Sequence, residues 1–397
     1  VTDNGDGTMT AVVKYSPEDP TFENYYVTND VSVEFEGVKE LKGRDLEAGE
    51  FTFKLYDSEG NLLETAQNDA TGKVKFSTIT YTKADDLGAE TEKTFTYTVK
   101  ETSGSLGGVT YDTNEATITV TVKDDGEGNL TAEVTPAEAP LFTFTNTYEA
   151  EGEITLSGTK VLEGGELTEG QFSFELVDKD GNVVETVSNA ADGTFTFSAL
   201  KYVKKDGQDD TGTYTYKIRE KIPEDKKGIA YTDKVYDVTI TVKDNKDGTL
   251  SVTSDPDAGS FSFTNKVLKV LVNKYNDSNK KLKGATITLY DENGAEIVSW
   301  TSDGKEPFDF GPYVEAGKKY MIKETKVPKG YTRFKPVVFT VDPDGTVNIS
   351  LKVDKQGAYK LIDKEIPKED TPPDKYIPPV VPLPPTDVNG GNSNTGM

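Results

Sequence analysis

The 397-residue sequence contains no cysteine and no histidine. Their absence excludes disulfides, thiol nucleophiles and imidazole bases, and it removes the usual zinc ligands. Most hydrolase and metalloenzyme sites cannot be assembled from the residues that are present. We therefore expect a protein without catalytic turnover, without a cofactor and without a resident metal.

Long apolar runs are also missing from the sequence. No stretch of about 18 apolar residues is present, and the first residues lack a charged segment followed by an apolar one, so neither a membrane span nor a signal peptide is expected in this stretch. The 44 basic residues are outnumbered by 69 acidic ones, which gives a net charge of −25. Such a charge repels nucleic acid and anionic membranes, and neither is an expected partner.

Two copies of one unit fill most of the chain, at residues 28–148 and 149–267. A shorter module with the same pattern follows at 268–366. Residues 1–27 resemble the closing hairpin of a preceding, truncated repeat, because Phe22-Glu23-Asn24 matches Phe144-Thr145-Asn146. The repetition predicts a tandem array of similar domains.

Short alternating runs rich in Thr, Val, Phe and Tyr are separated by turns such as Lys179-Asp180-Gly181-Asn182. This pattern is typical of antiparallel strands in a sandwich. We therefore predict an all-β fold made of tandem immunoglobulin-like β-sandwich domains in an elongated rod.

A lysine lies among apolar residues in the run from Ile154 to Leu162. If this run is one strand, Ile154, Leu156, Lys160 and Leu162 share a face. Glu220 and Asn265 end two other apolar strand faces in the same way, and burial of such groups costs several kcal/mol unless they meet one another. The same trio recurs in each module, as Lys39, Glu101 and Asn146; as Lys160, Glu220 and Asn265; and as Lys274, Glu324 and Asp363.

This trio predicts a covalent bond. Burial lowers the pKa of a lysine and raises that of a carboxylic acid, so the pair can exist as a free amine and a neutral acid. The amine is then a nucleophile, the Asn or Asp carbon is the electrophile, and the acid can polarise the carbonyl and move protons. The product is an intramolecular isopeptide bond, made once and without turnover.

The alternative is an ordinary strand lysine whose amine lies in solvent. Recurrence of the trio in phase argues against it. This alternative stays strongest at Asp363, where the tail begins.

The motifs Phe95–Glu101, Tyr214–Glu220, Phe144–Asn146 and Phe263–Asn265 resemble those of isopeptide-linkage domains in streptococcal-type pilins. The third module resembles the collagen-adhesin B-type (Cna B-type) domain, through Gly284-Ala285, Lys323–Tyr331 and Ile362–Lys364. The resemblance implies the stalk of a Gram-positive surface protein, or a minor or basal pilin. It also implies an extracellular, cell-wall-anchored location, with sortase and either peptidoglycan or other pilins as partners.

A proline-rich tail at 367–397 is expected to lead to a cell-wall sorting region. Leu383-Pro384-Pro385-Thr386-Asp387 and Asn394-Thr395-Gly396 are similar to a sortase signal, Leu-Pro-x-Thr-Gly, but each departs from it. Anchoring is therefore an expectation that comes from the family resemblance.

Parts of the sequence are also compatible with three other functions. An adhesin that binds host matrix protein or glycan would use exposed loops, for which Gly104–Tyr111 and Lys201–Thr213 are the candidates. Calcium binding at the acidic turn Asp178–Asn182 or Asp244–Thr249 is disfavoured, because the distal bidentate glutamate of an EF-hand is not in its place. A glycosidase is disfavoured because the acidic residues are scattered over turns.

Overall fold

The structure is a computed structural model that describes residues 1–14 and 22–366. The predicted proline-rich tail and both sequences similar to a sorting signal lie outside the described residues. No helix in the described part of the chain is long and apolar enough to cross a membrane.

The described residues form 34 strands and two short helices. The first strands are β1 (Thr2–Asp3), β2 (Met9–Thr10), β3 (Val31–Val33), β4 (Glu36–Lys42), β5 (Thr52–Tyr56), β6 (Leu62–Gln67), β7 (Lys73–Lys75), β8 (Ile79–Tyr81), β9 (Glu92–Glu101), β10 (Val109–Thr110), β11 (Glu115–Asp124), β12 (Leu130–Thr135) and β13 (Thr143–Tyr148). The next are β14 (Ala150–Ile154), β15 (Ser157–Glu163), β16 (Ser173–Asp178), β17 (Val183–Ser188), β18 (Thr194–Thr196), β19 (Leu200–Lys205), β20 (Gln208–Asp209), β21 (Gly212–Lys221), β22 (Ile229–Ala230), β23 (Val235–Asp244), β24 (Leu250–Asp255) and β25 (Phe261–Val267). The last are β26 (Leu271–Asn276), β27 (Lys283–Tyr290), β28 (Glu296–Asp303), β29 (Phe308–Asp309), β30 (Lys319–Lys326), β31 (Tyr331–Thr332), β32 (Val337–Val341), β33 (Val347–Asn348) and β34 (Tyr359–Glu365). A π-helix spans Lys83–Leu87 and a 3₁₀-helix spans Gly311–Tyr313, so the all-β prediction is confirmed.

The chain divides into two compact units. Of the described residues, the first unit contains 1–14, 22–155, 198–215 and 238–258, and the second contains 156–197, 216–237 and 259–366.

The first unit contains a four-stranded sheet, β10-β13-β4-β7, and a five-stranded sheet, β12-β11-β9-β5-β6. Alternate residues of these strands are apolar, and they form one buried core between the two sheets. Phe53 and Phe144 meet in that core with ring centroids 5.6 Å apart. The same unit contains the sheet β14-β19-β20 and the antiparallel pair formed by Thr239–Asp244 of β23 with β24.

The second unit contains the four-stranded sheet β18-β15-β25-β22, and β16 pairs there with β17 and with the Tyr216–Lys221 part of β21. It also contains the sheets β29-β26-β34-β31 and β28-β27-β30-β32-β33. A second apolar core, which includes Ile287, Phe310 and Ile322, lies between these last two sheets.

Among the described residues, three strand pairs are parallel and join strands that are distant in sequence. They are β4 with β13, β15 with β25, and β26 with β34. Lys39 lies opposite Phe144, Lys160 opposite Phe263, and Lys274 opposite Leu361. In each pair the Asn or Asp of the predicted trio lies two residues beyond the residue opposite the lysine, and therefore on the same face.

The run from Ile154 to Leu162 is not the single strand that its pattern predicts. β14 ends at Ile154 and pairs with β19, whereas β15 begins at Ser157 and pairs with β18 and β25. The prediction is wrong because a strand can leave one sheet and enter another while its apolar alternation continues. Lys160 nevertheless keeps the buried face that its phase predicts.

Gly193 fixes the backbone beside Lys160. Its φ is +89°, and a Cβ there would lie 2.4 Å from the Lys160 carbonyl oxygen. Gly181 has nearly the same φ, +88°, but nothing lies within 4 Å of its Cβ position. The two glycines thus separate the cost of a left-handed backbone from the cost of a close contact.

We expect Gly193→Ala to destabilise its sandwich by at least about 2 kcal/mol, because the methyl group displaces the Lys160 backbone. The matched variant Gly181→Ala should cost about 1 kcal/mol, the left-handed penalty alone. Hydrogen exchange of the β15 amides measures both effects in the same part of the chain. Equal costs for the two substitutions would contradict this account of Gly193.

Candidate functional site

Three buried clusters each contain a lysine, a glutamate and an Asn or Asp. The first cluster is Lys39, Glu101 and Asn146; the second is Lys160, Glu220 and Asn265; the third is Lys274, Glu324 and Asp363. The structure brings together the three members of each predicted trio. Every lysine and glutamate side chain in the clusters is at most 1% exposed.

The glutamate bridges the other two side chains in the first and second clusters. In the second, Lys160 Nζ donates to Glu220 Oε2 at 2.7 Å, and Asn265 Nδ2 donates to Glu220 Oε1 at 2.7 Å. In the first, Lys39 Nζ lies 2.9 Å from Glu101 Oε2 and Asn146 Nδ2 lies 2.7 Å from Glu101 Oε1. One carboxylate therefore contacts both the amine and the amide nitrogen.

The third cluster has two carboxyl groups and a different geometry. Lys274 Nζ contacts Asp363 Oδ1 and lies 3.7 Å from Glu324 Oε1. Within the described residues, Glu324 Oε1 and Asp363 Oδ2 are buried without a hydrogen-bond partner. A carboxyl proton on one of these two groups would reduce the repulsion between them.

A backbone N–H donates to the carbonyl or carboxyl oxygen of each Asn or Asp. The donor is Asp112 N for Asn146 Oδ1 at 2.7 Å, and Thr232 N for Asn265 Oδ1 at 2.9 Å. In the third cluster Phe334 N donates to Asp363 Oδ1 at 3.2 Å. Sequence reasoning missed these donors, because backbone amides leave no side-chain pattern in the sequence.

Polarisation of the Asn carbonyl was expected from the glutamate, and the structure assigns this contact differently. In the first and second clusters the carbonyl oxygen faces the backbone N–H, and the glutamate faces the amide nitrogen. A glutamate in that position can give a proton to the nitrogen that would leave in the predicted reaction.

A phenylalanine ring covers each lysine amine. The distance from Nζ to the ring centroid is 4.7 Å for Lys39 and Phe51, and 4.5 Å for Lys160 and Phe172. In the third cluster Phe334 lies 4.7 Å from Lys274 Nζ. Phe51 and Phe172 occupy equivalent places in the aligned repeats, so this signal was available in the sequence.

Burial shifts the protonation of these groups. It lowers the pKa of Lys160 to about 8, against the opposing effect of Glu220, and it lowers the pKa of Lys39 and Lys274. Burial also raises the pKa of Glu220, and it raises that of Glu324 to about 7, where the charge of Asp363 adds to the effect. Both shifts favour a free amine beside a neutral acid.

The acidic turns that resemble calcium loops use their carboxylates to hold the turn itself. Asp178 Oδ1 accepts hydrogen bonds from the backbone N–H groups of Asp180 and Asn182. Asp247 Oδ1 likewise accepts from the N–H and hydroxyl of Thr249. These contacts are those of ordinary hairpin turns.

The sequence matches two protein-family models. Residues 35–149 and 156–276 each match the Spy0128-like isopeptide-containing domain, and together they cover more than half of the chain. Residues 268–355 match a prealbumin-like fold domain. The families are those of structural surface proteins, and neither is a catalytic family.

Curated relatives include serine-aspartate repeat-containing protein D of Staphylococcus aureus strains MSSA476 and Newman, each 25% identical over 78% of this chain. The chain spans about a quarter of the length of these relatives, 26% and 27%.

Similar solved structures include the TIE protein of Bacillus anthracis, with 14% identity, a TM-score of 0.25, and coverage of 86% of this chain and 59% of that one. The shaft pilin SpaA of Lactobacillus rhamnosus GG has 14% identity, a TM-score of 0.31, and coverage of 54% and 98%.

The resemblance to pilin isopeptide domains is confirmed by the family match. The Cna B-type assignment of the third module stays a prediction, because the matching description there is the prealbumin-like fold. The two matches to the isopeptide-containing domain cover more than half of the chain. The chain therefore belongs to the family of proteins with Spy0128-like isopeptide-containing domains.

Proposed function

We propose that this chain is the stalk of a Gram-positive cell-surface protein, or of a minor or basal pilin, and that three intramolecular isopeptide bonds stabilise it. The bonds join Lys39 to Asn146, Lys160 to Asn265 and Lys274 to Asp363. Glu101, Glu220 and Glu324 act as the catalytic acids and bases.

One observation carries the proposal. In all three parallel strand pairs the lysine has the same register relative to its Asn or Asp. The glutamate of each trio is buried beside the lysine amine, and a backbone N–H faces the acceptor oxygen. A structural ion pair needs neither the Asn nor the backbone donor.

The reaction at the second cluster begins with transfer of one proton from the Lys160 ammonium to Glu220. The free Nζ then attacks the Asn265 side-chain carbon, and negative charge grows on the oxygen that Thr232 N–H contacts. Glu220 gives its proton to Nδ2 and accepts one from Nζ. The bond from carbon to Nδ2 breaks, ammonia leaves, and Glu220 ends neutral. The first cluster has the same contacts.

The third cluster loses water instead of ammonia, because its acceptor is Asp363. Lys274 first passes one proton directly to the Asp363 carboxylate that its Nζ contacts, and the free amine attacks the Asp363 side-chain carbon. Glu324 is neutral because burial raises its pKa to about 7, and it gives its proton to the leaving hydroxyl while it accepts one from Nζ. The bond from carbon to that oxygen breaks, water leaves, and Glu324 ends neutral as it began.

Each bond would close a loop on the order of 100 residues between the first and last strands of a sandwich. In the chain-entropy model such a link stabilises the fold by about 4–5 kcal/mol. It also joins strands on which pulling force would act, so the sheet need not unzip. A stalk without cysteine gains by this bond what other secreted domains gain from disulfides.

The same proposal divides the chain at residues 28–148, 149–267 and 268–366, with 1–27 as the end of a further repeat. The turns support the last point. Asn4 N donates to Thr8 O and Asn245 N to Thr249 O, both at 3.1 Å. Tyr26 OH donates to Asp124 Oδ1 at 2.7 Å, as Tyr148 OH does to Asp244 Oδ1 at 2.6 Å.

Partners and location follow from the family. Sortase would attach the chain to cell-wall peptidoglycan or to other pilins on the extracellular side. The sequences that resemble a sorting signal lie outside the described residues.

The intact mass of the denatured chain should be lower than the sequence mass by two ammonia and one water, because each bond expels one small molecule. Peptide mapping should find Lys39 joined to Asn146, Lys160 to Asn265 and Lys274 to Asp363. Lys39→Ala should restore one ammonia and leave the other two links intact. An unmodified mass would contradict the proposed function.

Glu220→Gln should leave the Lys160 amine buried without its anion. The pKa of Lys160 in the folded state then lies at or below about 8, and that of the unfolded chain near 10.5. Between these values the unfolded chain binds more protons, so the free energy of unfolding should rise with pH, by roughly 3 kcal/mol over the window.

The matched control is the double variant Lys160→Met with Glu220→Gln. Neither variant should form the Lys160–Asn265 bond, but the double variant has no lysine at this site. Urea-dependent proteolysis, with fragments of residues 149–267 identified by mass, measures both variants at each pH. The difference between them should grow smaller as the pH rises through the window. A difference that does not change with pH would show that Lys160 is not buried.

A further inference from the structure

We infer that Asn68 and Asn189 are positioning residues for the first and second isopeptide bonds, each fixing the phenylalanine that covers the lysine amine. The inference rests on the proposed function. Neither asparagine touches the lysine, the glutamate or the acceptor through a hydrogen bond of its side chain. Both are nonetheless almost fully buried, at 3% and 1% exposed.

The side chain of Asn189 forms hydrogen bonds with three backbone groups. Its Oδ1 accepts from Phe172 N at 2.8 Å, and its Nδ2 donates to Thr168 O at 2.8 Å and to Ala190 O at 2.9 Å. Phe172 is thus held by a buried amide whose own groups are satisfied. Such networks fix one conformation, because any other leaves a buried polar group unpaired.

The first module repeats this arrangement bond for bond. Asn68 Oδ1 accepts from Phe51 N at 2.8 Å, and Asn68 Nδ2 donates to Glu47 O at 2.7 Å and to Asp69 O at 2.9 Å. In both modules the phenylalanine N–H donates to the asparagine oxygen, and the asparagine nitrogen donates to two backbone carbonyls.

The turn that follows each asparagine holds the lysine strand. Gly193 O accepts from Lys160 N at 2.7 Å, and Gly72 O accepts from Lys39 N at 2.7 Å. Each asparagine therefore links the segment that carries the phenylalanine to the turn that fixes the lysine backbone. Within one short segment, the asparagine therefore positions the phenylalanine ring and the glycine positions the backbone of the lysine.

The position of the ring matters to the chemistry. The Phe172 ring lies 4.5 Å from Lys160 Nζ and excludes water from that side. Without the ring, water would stabilise the ammonium form, which cannot attack. The charged group that faces the amine is Glu220, and the Tyr231 ring packs against the Phe172 ring.

The third module provides an internal control. Phe334 covers Lys274, and its own backbone N–H donates to Glu324 Oε2 and Asp363 Oδ1. No side-chain amide holds its backbone N–H among the described residues. A substitution at Asn68 or Asn189 should therefore leave this bond unchanged.

The test uses the full chain, made by cell-free translation, held unfolded in urea and folded by dilution. Peptide mapping over time gives the rate of each bond in one sample. Asn189→Ala should slow the Lys160–Asn265 bond by roughly ten- to a hundredfold, because the amine and its cover lose their geometry. The other two bonds should form at their usual rates. Asn68→Ala should slow only Lys39–Asn146.

Two readouts separate positioning from a loss of stability. With Asn189→Ala the alkaline limb of the pH–rate profile should move to higher pH, because an exposed amine regains its ordinary pKa. Phe172→Leu, which keeps the Asn189 hydrogen bonds, should have a similar effect, and the double variant should be little slower than either single one. Hydrogen exchange of β15 checks that each variant folds.

The outcomes distinguish the two proposals. Absence of all three bonds in the unsubstituted chain would overturn the proposed function, and this inference with it. Normal bonds in that chain, together with an unchanged rate in folded Asn189→Ala, would overturn the inference alone. Equal slowing of all three bonds, or additive effects of Asn189→Ala and Phe172→Leu, would also overturn it.

Discussion

Parallel pairing of two strands that are distant in sequence is the constraint on which the sites depend. Antiparallel neighbours can be joined by a short hairpin, whereas parallel neighbours need a long connection, and β15 and β25 are about 100 residues apart. The pairing sets Lys160 opposite Phe263, two residues from Asn265. A slip of one residue would turn one of the two side chains to the other face, so the apolar core that fixes the register also fixes the site.

Burial of a lysine in such a core costs free energy, and the groups around the amine offset that cost. The glutamate, the phenylalanine ring and the tightly held lysine backbone leave the amine no route to solvent. An ion pair alone would satisfy the charge, but it would not require an amide that presents its nitrogen to the same carboxylate. The cost of burial is thus tied to reactivity, because the same desolvation that destabilises the ammonium favours the nucleophile.

Sequence reasoning could identify the side chains of the site, because alternation along a strand reports which face a residue occupies. It placed Lys160, Glu220 and Asn265 on buried faces, and all three are buried. It could not find the break between β14 and β15, since apolar alternation continues through a change of sheet. It also missed the N–H of Thr232, because a backbone donor depends on the path of a loop and not on residue type.

In the proposed reaction the three clusters move protons in different ways. An amide acceptor needs a proton delivered to its nitrogen, and Glu220 lies at Asn265 Nδ2 to deliver it. A carboxyl acceptor must lose water, which requires protons in the site at neutral pH. Glu324 can relay a proton there, because burial and the charge of Asp363 raise its pKa to about 7. The change from Asn to Asp is therefore matched by the electrostatics of the glutamate and leaves the direction of the strands unchanged.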